Sequence, residues 1–261
     1  MIENVKKVLG KYLMPELIYF IQKRIFRKDY SFVMINNVGT YHEDSLIVTD
    51  KNLDFLKEKS FLDAYNNAVE KNLYVSPTIR WRLHMLCWAA SISSNLEGDF
   101  VECGVNKGFS SKIIIDYLNF DTLNKKYYLM DTFEGLVEDL LSDAEKNKKG
   151  EIYEPCIDIV KKNFREYRNV EIIQGMIPET LDQVKSDKIS FLHIDMNCVF
   201  PESEALKYFW DKLVKGGIVI FDDYGWAVYH AQKKAHDLFA ESKGVKIATL
   251  PTGQGLLIKP F

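Results

Sequence analysis

The stretch that decides the fold is Phe100–Gly108, with the sequence FVECGVNKG. An apolar run leads into an acid and then into Gly104 and Gly108, and a helical pattern begins at Phe109. Glycines at a strand-to-helix junction let the backbone approach a ligand closely. The stretch therefore predicts a ligand-binding turn, although two glycines can also mark any tight turn.

Around this turn, short apolar runs alternate with helical patterns. The predicted strands are Asp99–Gly104, Lys126–Asp131, Val170–Gly175, Ile189–Asp195, Gly217–Asp222, Val245–Leu250 and Gly255–Lys259, and the predicted helices are Phe109–Asn119, Cys156–Tyr167, Pro201–Val214 and Tyr229–Ser242. Such alternation favours a parallel sheet covered by helices on both faces. Only Pro251–Gln254 separates the last two strands, so they should form an antiparallel hairpin. An α/β, Rossmann-like, mostly parallel sheet of seven strands with such an end is the layout of class I methyltransferases.

The N-terminal third follows a different pattern. Helical spacing of apolar residues marks Asp54–Glu70 and Ile79–Asn95, whereas Ser31–Thr49 is polar and predicts a loop. We therefore expect a helical N-terminal extension over residues 1–95, acting as a lid or an oligomer surface, before a cofactor-binding domain over residues 96–261.

Charge and cysteine content narrow the class of protein. The net charge is −3, which argues against a nucleic-acid partner because phosphate binding needs excess cationic groups. The four cysteines show no CxxC pairing, which fits a reducing cytoplasm. Residues 8–26 are apolar but interrupted by charges, so we expect no stable membrane insertion and no signal peptide, although an amphipathic surface helix is an alternative.

Three strand ends suggest a cofactor. Glu102, before the first glycine, suits a ligand with a cationic part and hydroxyls, such as S-adenosylmethionine. Asp131, 27 residues after Gly104, could accept hydrogen bonds from both ribose hydroxyls or could cap a helix. The Gln174–Met176 turn could hold an adenine or be a plain loop.

The next two strands end in acids. Asp195 and the Asp222–Asp223 pair should converge because adjacent parallel strands lie roughly 5 Å apart. Carboxylates this close repel one another, which predicts that a divalent cation binds between them. Their oxygen ligands favour Mg²⁺ or Ca²⁺, with Mn²⁺ as a further candidate. Alternatively, Asp223 caps a helix and Asp195 contacts only the cofactor. His193 is either a buried core residue or catalytic, and His230 could face the same cleft.

With these motifs in order, residues 74–260 resemble the macrocin O-methyltransferase family, which methylates sugar hydroxyls of antibiotics. The resemblance rests on FVECG (100–104), DTFEGL (131–136), PETL (178–181), HID (193–195) and FDDYG (221–225). It implies metal binding by Asp195, Asp222 and Asp223, and S-adenosylmethionine binding by Glu102, Gly104, Asp131 and the Gln174–Met176 turn. The full predicted cofactor set is Glu102, Gly104, Asn106, Gly108, Ser110, Asp131, Thr132, Phe133, Gln174, Gly175, Met176 and Asp195.

One position departs from the family. Where the antibiotic enzymes often carry an acid that is a proposed general base, this chain has Asn197, which cannot take a proton. The predicted catalytic groups are therefore Asp195, with Asp223 or His230 receiving the proton.

These residues predict a cytoplasmic O-methyltransferase that depends on S-adenosylmethionine and a divalent metal. The expected acceptor is a sugar hydroxyl or a related small precursor, and the expected assembly is a homodimer. Alternatives are methylation of a phosphate or phosphoramidate oxygen, a non-catalytic binding module with the same fold, and an NAD-dependent oxidoreductase. The last lacks the third glycine of GxGxxG.

Overall fold

The structure is a computed structural model that describes residues 41–48, 51–74, 79–146 and 153–261. Its strands are β1 (Tyr41–Glu43), β2 (Leu46–Val48), β3 (Asp99–Cys103), β4 (Tyr127–Asp131), β5 (Val170–Gln174), β6 (Ile189–Ile194), β7 (Leu213–Phe221), β8 (Ala248–Thr249) and β9 (Gly255–Ile258). Its α-helices are α1 (Lys59–Glu70), α2 (Arg80–Ser94), α3 (Phe109–Leu118), α4 (Asp143–Lys146), α5 (Ile157–Phe164), α6 (Val199–Lys212) and α7 (His230–Ser242).

The main sheet has seven strands in the order β5-β4-β3-β6-β7-β9-β8. The first five of these strands run parallel, and β9 pairs antiparallel with both β7 and β8. This confirms the predicted sheet and its terminal hairpin. The structure differs mainly at boundaries: β7 starts at Leu213, before the predicted Gly217, and β8 is limited to two residues.

Alternating side chains of β3 explain why helices cover both faces. Phe100 packs in a cluster with residues of α1, α2 and α3, whereas Val101 packs in a second cluster with residues of α6 and α7. Because successive side chains of a strand point to opposite faces, a strand buried on both sides reads as a continuous apolar run.

Helices α1 and α2 are part of the main core. Phe61 of α1 and Leu86 of α2 are each 1% exposed and belong to the same cluster as Phe100. Residues 41–261 accordingly form one compact unit. The lid or dimer role of residues 1–95 stays a prediction, and residues 1–40, including the segment 8–26, lie outside the described residues.

The loop predicted over Ser31–Thr49 is wrong for residues 41–48, which form the antiparallel β1–β2 hairpin. Asp44 and Ser45 make its two-residue turn, with left-handed φ values of +52° and +59°. Strands of three residues are too short to show a clear alternation of apolar and polar residues, so the sequence pattern did not indicate them. Among the described residues, the helices all fall short of the length and hydropathy that crossing a membrane requires.

Candidate active site

A cavity of about 600 Å³ opens at the carboxyl ends of the parallel strands, the edge at which open α/β sheets bind ligands. Its glycine end is lined after β3, β4 and β5 by Gly104, Val105, Asn106, Ser110, Asp131, Thr132, Phe133, Gly175 and Met176. Its acidic end is lined by Asp44, Arg82, Asp195, Asn197, Asp222 and Asp223. The cavity thus has two chemically different ends.

Gly104 brings the backbones of two neighbouring strand ends together. Its φ is +92°, and its amide donates a 2.9 Å hydrogen bond to the carbonyl of Met130. A Cβ atom at this position would overlap the backbone carbonyl of Asp195. Only glycine combines this left-handed conformation with so close an approach, which explains the first glycine of the motif.

Asp131 holds the loops after β3 and β4. Its Oδ2 accepts hydrogen bonds from the amides of Val105 and Asn106, and its Oδ1 accepts one from the amide of Phe133, all at 2.7 Å. A carboxylate offers about four lone-pair positions. Three are therefore taken by backbone amides, and the Thr132 hydroxyl lies 3.3 Å from Oδ1. The contact of Asp131 with both ribose hydroxyls stays a prediction.

Glu102 is engaged within the protein. It is 1% exposed, and its carboxylate accepts hydrogen bonds from Ser111 Oγ and, at 2.9 Å, from the Tyr127 hydroxyl. Its Oε1 lies 3.1 Å from Nδ1 of His193. Glu102 also lines the cavity, so its predicted contact with the cofactor stays a prediction, although β4, β6 and α3 surround its carboxylate with three side chains.

The rest of the predicted cofactor set divides in two. Asn106, Ser110, Thr132, Phe133, Gly175 and Met176 line the cavity. Gly108 and Gln174 are not among the described residues that line it, and Gln174 is exposed at the end of β5. The set as a whole stays a prediction.

At the acidic end, the three predicted carboxylates do converge, but they are not alone. Arg82 of α2 donates through Nη1 to Oδ2 of Asp222 and lies 3.9 Å from Oδ1 of Asp223. Gln254 donates a 3.0 Å hydrogen bond to the other oxygen of Asp222. The strand-end motifs themselves contain no lysine or arginine, and a helix distant in sequence supplies the guanidinium that partly compensates these acids.

The pKa values of the two neighbouring acids are shifted in opposite directions. Burial raises the pKa of Asp222, but Arg82 and His193 outweigh burial and bring it below its usual value. Burial raises the pKa of Asp195 well above its usual value, and the charges of Asp222 and Asp223 add to that rise. The surroundings thus favour the ionised form of Asp222 and the protonated form of Asp195.

The residues present fit a divalent cation. Ligand atoms of His193, Asp195 and Asp222 lie within 4.8 Å of one another. Nε2 of His193 is buried and lies 3.5 Å from Oδ1 of Asp222. Burial lowers the pKa of His193, but Asp222 and Glu102 outweigh burial and raise it to about 10. Nε2 would therefore have to release a proton before it could join the two carboxylates as a metal ligand. His193, which the sequence left between two roles, thus lies beside Asp195 and Asp222.

Two other predicted residues lie where they can contribute little acid–base chemistry. His230 is exposed at the first residue of α7 and is not among the described residues lining the cavity. Asn197 lines the cavity, and its Nδ2 donates a 3.2 Å hydrogen bond to the Tyr153 hydroxyl. The predicted proton acceptor at His230 is therefore not supported by the geometry, whereas Asp223 remains in place.

Sequence reasoning missed Arg82 and Asp44. Arg82 stands inside an amphipathic helix pattern, where an arginine is usually a solvated residue. Asp44 stands in a polar turn segment. Only the Glu-Asp-Ser turn composition at residues 43–45 could have drawn attention to the latter.

Comparison with known proteins agrees with this geometry. The family model described as Macrocin-O-methyltransferase (TylF) matches residues 76–250. Demethyldecarbamoylnovobiocin O-methyltransferase of Streptomyces niveus is 26% identical over 149 residues, which cover 53% of this chain and 57% of that protein. The 8-demethyl-8-(2,3-dimethoxy-alpha-L-rhamnosyl)-tetracenomycin-C 4'-O-methyltransferase of Streptomyces olivaceus is 25% identical over 163 residues, 58% of this chain and 61% of that protein. The chain thus spans about three fifths of these relatives.

Solved structures share the fold. The O-methyltransferase NovP superposes with a TM-score of 0.63 at 20% identity, over 71% of this chain and 82% of that one. The calicheamicin methyltransferase CalS11 gives 0.57 at 13% identity, over 88% and 99%. At these identities the likeness establishes the class I methyltransferase fold and nothing finer.

Proposed function

Because the chain belongs to the macrocin-O-methyltransferase family, we propose that it transfers a methyl group from S-adenosylmethionine to a hydroxyl oxygen of a sugar or a related small precursor. The observation that carries the proposal is the two-ended cavity. Its glycine end offers a close backbone approach and Asp131, and its acidic end offers carboxylates that can hold hydroxyl groups. Both Streptomyces relatives are named as O-methyltransferases, and one name specifies a rhamnosyl group.

S-adenosylmethionine, when bound, supplies an activated methyl group on a sulfonium. The task of the chain is then to align two molecules, which can supply ~7–11 kcal/mol in favourable cases. Gly104 and the loops held by Asp131 would fix the donor at the glycine end. The acidic residues would fix the acceptor beside it.

The metal part of the proposal concerns Asp195, Asp222 and His193, with Asp223 beside them. A divalent cation held there would supply a Lewis acid for the acceptor hydroxyl. Arg82 already bonds Asp222, so cation and guanidinium would share that carboxylate. Mg²⁺, Mn²⁺ and Ca²⁺ are the candidates, since oxygen ligands predominate.

The names of the relatives favour a sugar acceptor over a phosphorylated one. One of the two Streptomyces relatives is named for a rhamnosyl-bearing substrate, and neither name specifies a phosphate or phosphoramidate. The carboxylates of Asp44 and Asp223 line the acidic end, and carboxylates can accept hydrogen bonds from sugar hydroxyls. The phosphate or phosphoramidate alternative therefore ranks below the sugar.

The first step of the test measures cofactor-site affinity by calorimetry, with S-adenosylhomocysteine as the ligand. Asp131→Asn should weaken binding by about 1–3 kcal/mol, because backbone amides lose their charged acceptor. Glu134→Gln, at an exposed position of the same loop, is the matched control and should bind like the wild type. Equal affinity for all three proteins would remove Asp131 from the cofactor site.

The second step measures S-adenosylhomocysteine release with a panel of sugars and nucleotide-linked sugars. Chelation by EDTA should stop turnover while cofactor affinity persists, and Mg²⁺ or Mn²⁺ should restore it. If the chelated enzyme turns over at the full rate, the metal part of the proposal is excluded and the rest of the proposal is unaffected. Cofactor binding without turnover on any sugar would exclude the acceptor class.

Two further predictions accompany this function. We expect a homodimer in the cytoplasm, with residues 1–95 contributing a lid or a dimer surface. Light scattering of the full chain tests the assembly, and a monomeric mass at micromolar concentration would contradict it.

A further inference from the structure

The β1–β2 hairpin is fixed to helix α2 by two neighbouring ion pairs. In the first, Nε of Arg80 donates to Oε1 of Glu43 at 2.7 Å, and the Arg80 amide donates to Oε2 at 3.0 Å. In the second, Nε of Arg82 donates to Oδ2 of Asp44 at 3.0 Å, and its Nη2 lies 2.8 Å from the same oxygen. Tyr41 adds a third contact, because its hydroxyl accepts a 2.9 Å hydrogen bond from the amide of Trp81.

The two pairs differ in what they face. Asp44 and Arg82 line the cavity, whereas Glu43 and Arg80 are not among the described residues that line it. The left-handed turn at Asp44 and Ser45 places the side chain of Asp44 at the cavity. Arg82 hydrogen-bonds to both Asp44 and Asp222, so its guanidinium links the tip of the hairpin to a predicted metal ligand.

The carboxylate of Asp44 is only half used. Oδ2 takes both contacts with Arg82, and Oδ1 makes no hydrogen bond to any described residue. The side chain is 17% exposed. A carboxylate oxygen that is held in place, lines a cavity and lacks a donor is a ready acceptor for a ligand hydroxyl.

We propose that Asp44 is an acceptor-binding residue: its Oδ1 accepts a hydrogen bond from a hydroxyl of the sugar, and the β1–β2 hairpin is a specificity element of this enzyme. The inference rests on the proposed function. The hairpin lies before residue 76, where the family match begins, so it adds a contact from outside the matched region. Arg82 serves as the positioning residue, since it fixes which oxygen of Asp44 is free.

The decisive variant is Asp44→Asn. The two donors of Arg82 would hold the amide oxygen, which leaves the NH₂ group where Oδ1 was. A hydrogen-bond acceptor becomes a donor at unchanged shape. We expect KM for the sugar to rise about 10- to 100-fold, with cofactor affinity within about twofold of the wild type. Glu43→Gln removes the neighbouring charge from the same hairpin and should keep KM within about threefold.

Binding is measured independently of turnover by saturation-transfer NMR, with methyl α-L-rhamnoside and free hexoses as probes and S-adenosylhomocysteine present. The inference predicts weaker saturation of sugar protons with Asp44→Asn than with Glu43→Gln. Equal signals and equal KM for the two variants would overturn it, as would a matched loss of cofactor affinity in Asp44→Asn, which indicates a structural role. Sugar binding by the wild type without turnover would count against the proposed function only, and no sugar binding by the wild type would overturn both.

Discussion

The two ends of the cavity are built from different kinds of contact. At the glycine end, Asp131 bonds backbone amides that lie 26, 25 and 2 residues away. At the acidic end, Arg82 bonds Asp222 across 140 residues and Asp44 across 38. The first end is an arrangement of backbone around one acid, and the second is an arrangement of charged side chains from separate elements.

This difference decides how each end responds to change. Backbone positions at the glycine end are fixed by the pairing of β3 with β4 and β6. A steric clash there therefore cannot be relieved by movement of the backbone. Side chains at the acidic end can re-pair, because several acids share one guanidinium. We therefore expect a substitution at the glycine end to abolish cofactor binding, and a substitution at the acidic end to lower turnover only partly.

The largest effect should come from Gly104→Ala. The added methyl group meets the backbone carbonyl of Asp195 at a left-handed residue. Overpacking costs about 1–3 kcal/mol and the left-handed conformation about 1–2 kcal/mol. We expect the free energy of unfolding to fall by about 2–5 kcal/mol, measured by urea denaturation, and calorimetry to detect no cofactor binding.

Gly244→Ala is the matched control for Gly104→Ala. Gly244 has a φ of +68°, but an added Cβ has no atom within 4 Å. This variant carries the conformational cost alone, about 1–2 kcal/mol, and should bind the cofactor normally. Equal losses in both variants would mean that the close approach of β3 and β6 is not what requires Gly104.

A smaller effect is expected from Arg82→Met at the acidic end. Asp222 and Asp44 lose their shared cation, and breaking a fully buried pair costs about 3–5 kcal/mol. Because these acids line a cavity and are not fully buried, we expect about 2 kcal/mol of lost stability, a fall in turnover, and cofactor affinity within about twofold of wild type.

Arg80→Met supplies the comparison on the same helix, since its pair with Glu43 lies off the cavity. It should keep turnover near the wild-type value. Added Mg²⁺ should raise the thermal stability of Arg82→Met more than that of Arg80→Met, because the cation can then occupy an uncompensated acid. The opposite order would contradict the sharing of Asp222 between arginine and metal.

The same contrast explains what the sequence predicted. Asp195 and Asp222 were expected together because each ends a strand, and β6 does pair in parallel with β7. Arg82 and Asp44 were not, since a position on a helix or in a turn does not reveal which strand end it will reach. The engagement of Glu102 with Ser111, Tyr127 and His193 was equally hidden, because it depends on side-chain packing across three elements.

A pH-dependent effect is expected at Glu202, a buried carboxyl of helix α6. It is 3% exposed, accepts hydrogen bonds from the amides of Met196 and Cys198, and lies 3.3 Å from Nε2 of His236. Burial first, and the charge of Asp223 second, raise the pKa of Glu202 from 4.5 to about 8. Burial lowers the pKa of His236 to about 4, so at neutral pH a protonated Glu202 faces a neutral imidazole.

Glu202→Gln therefore tests whether this carboxyl folds with its proton. In the unfolded chain Glu202 loses the proton near pH 4.5, and in the folded chain it keeps the proton up to about pH 8. The unfolded state then binds fewer protons across that window, so the stability contributed by Glu202 is complete below about pH 4.5 and is lost as pH rises toward 8. Glutamine keeps the shape and has no proton to lose, so urea denaturation from pH 5 to 9 should show a flatter decline than in the wild type. Glu204→Gln, at a surface position of the same helix, should retain the wild-type slope, and a Glu202→Gln slope equal to both would show that Glu202 is ionised in the folded protein.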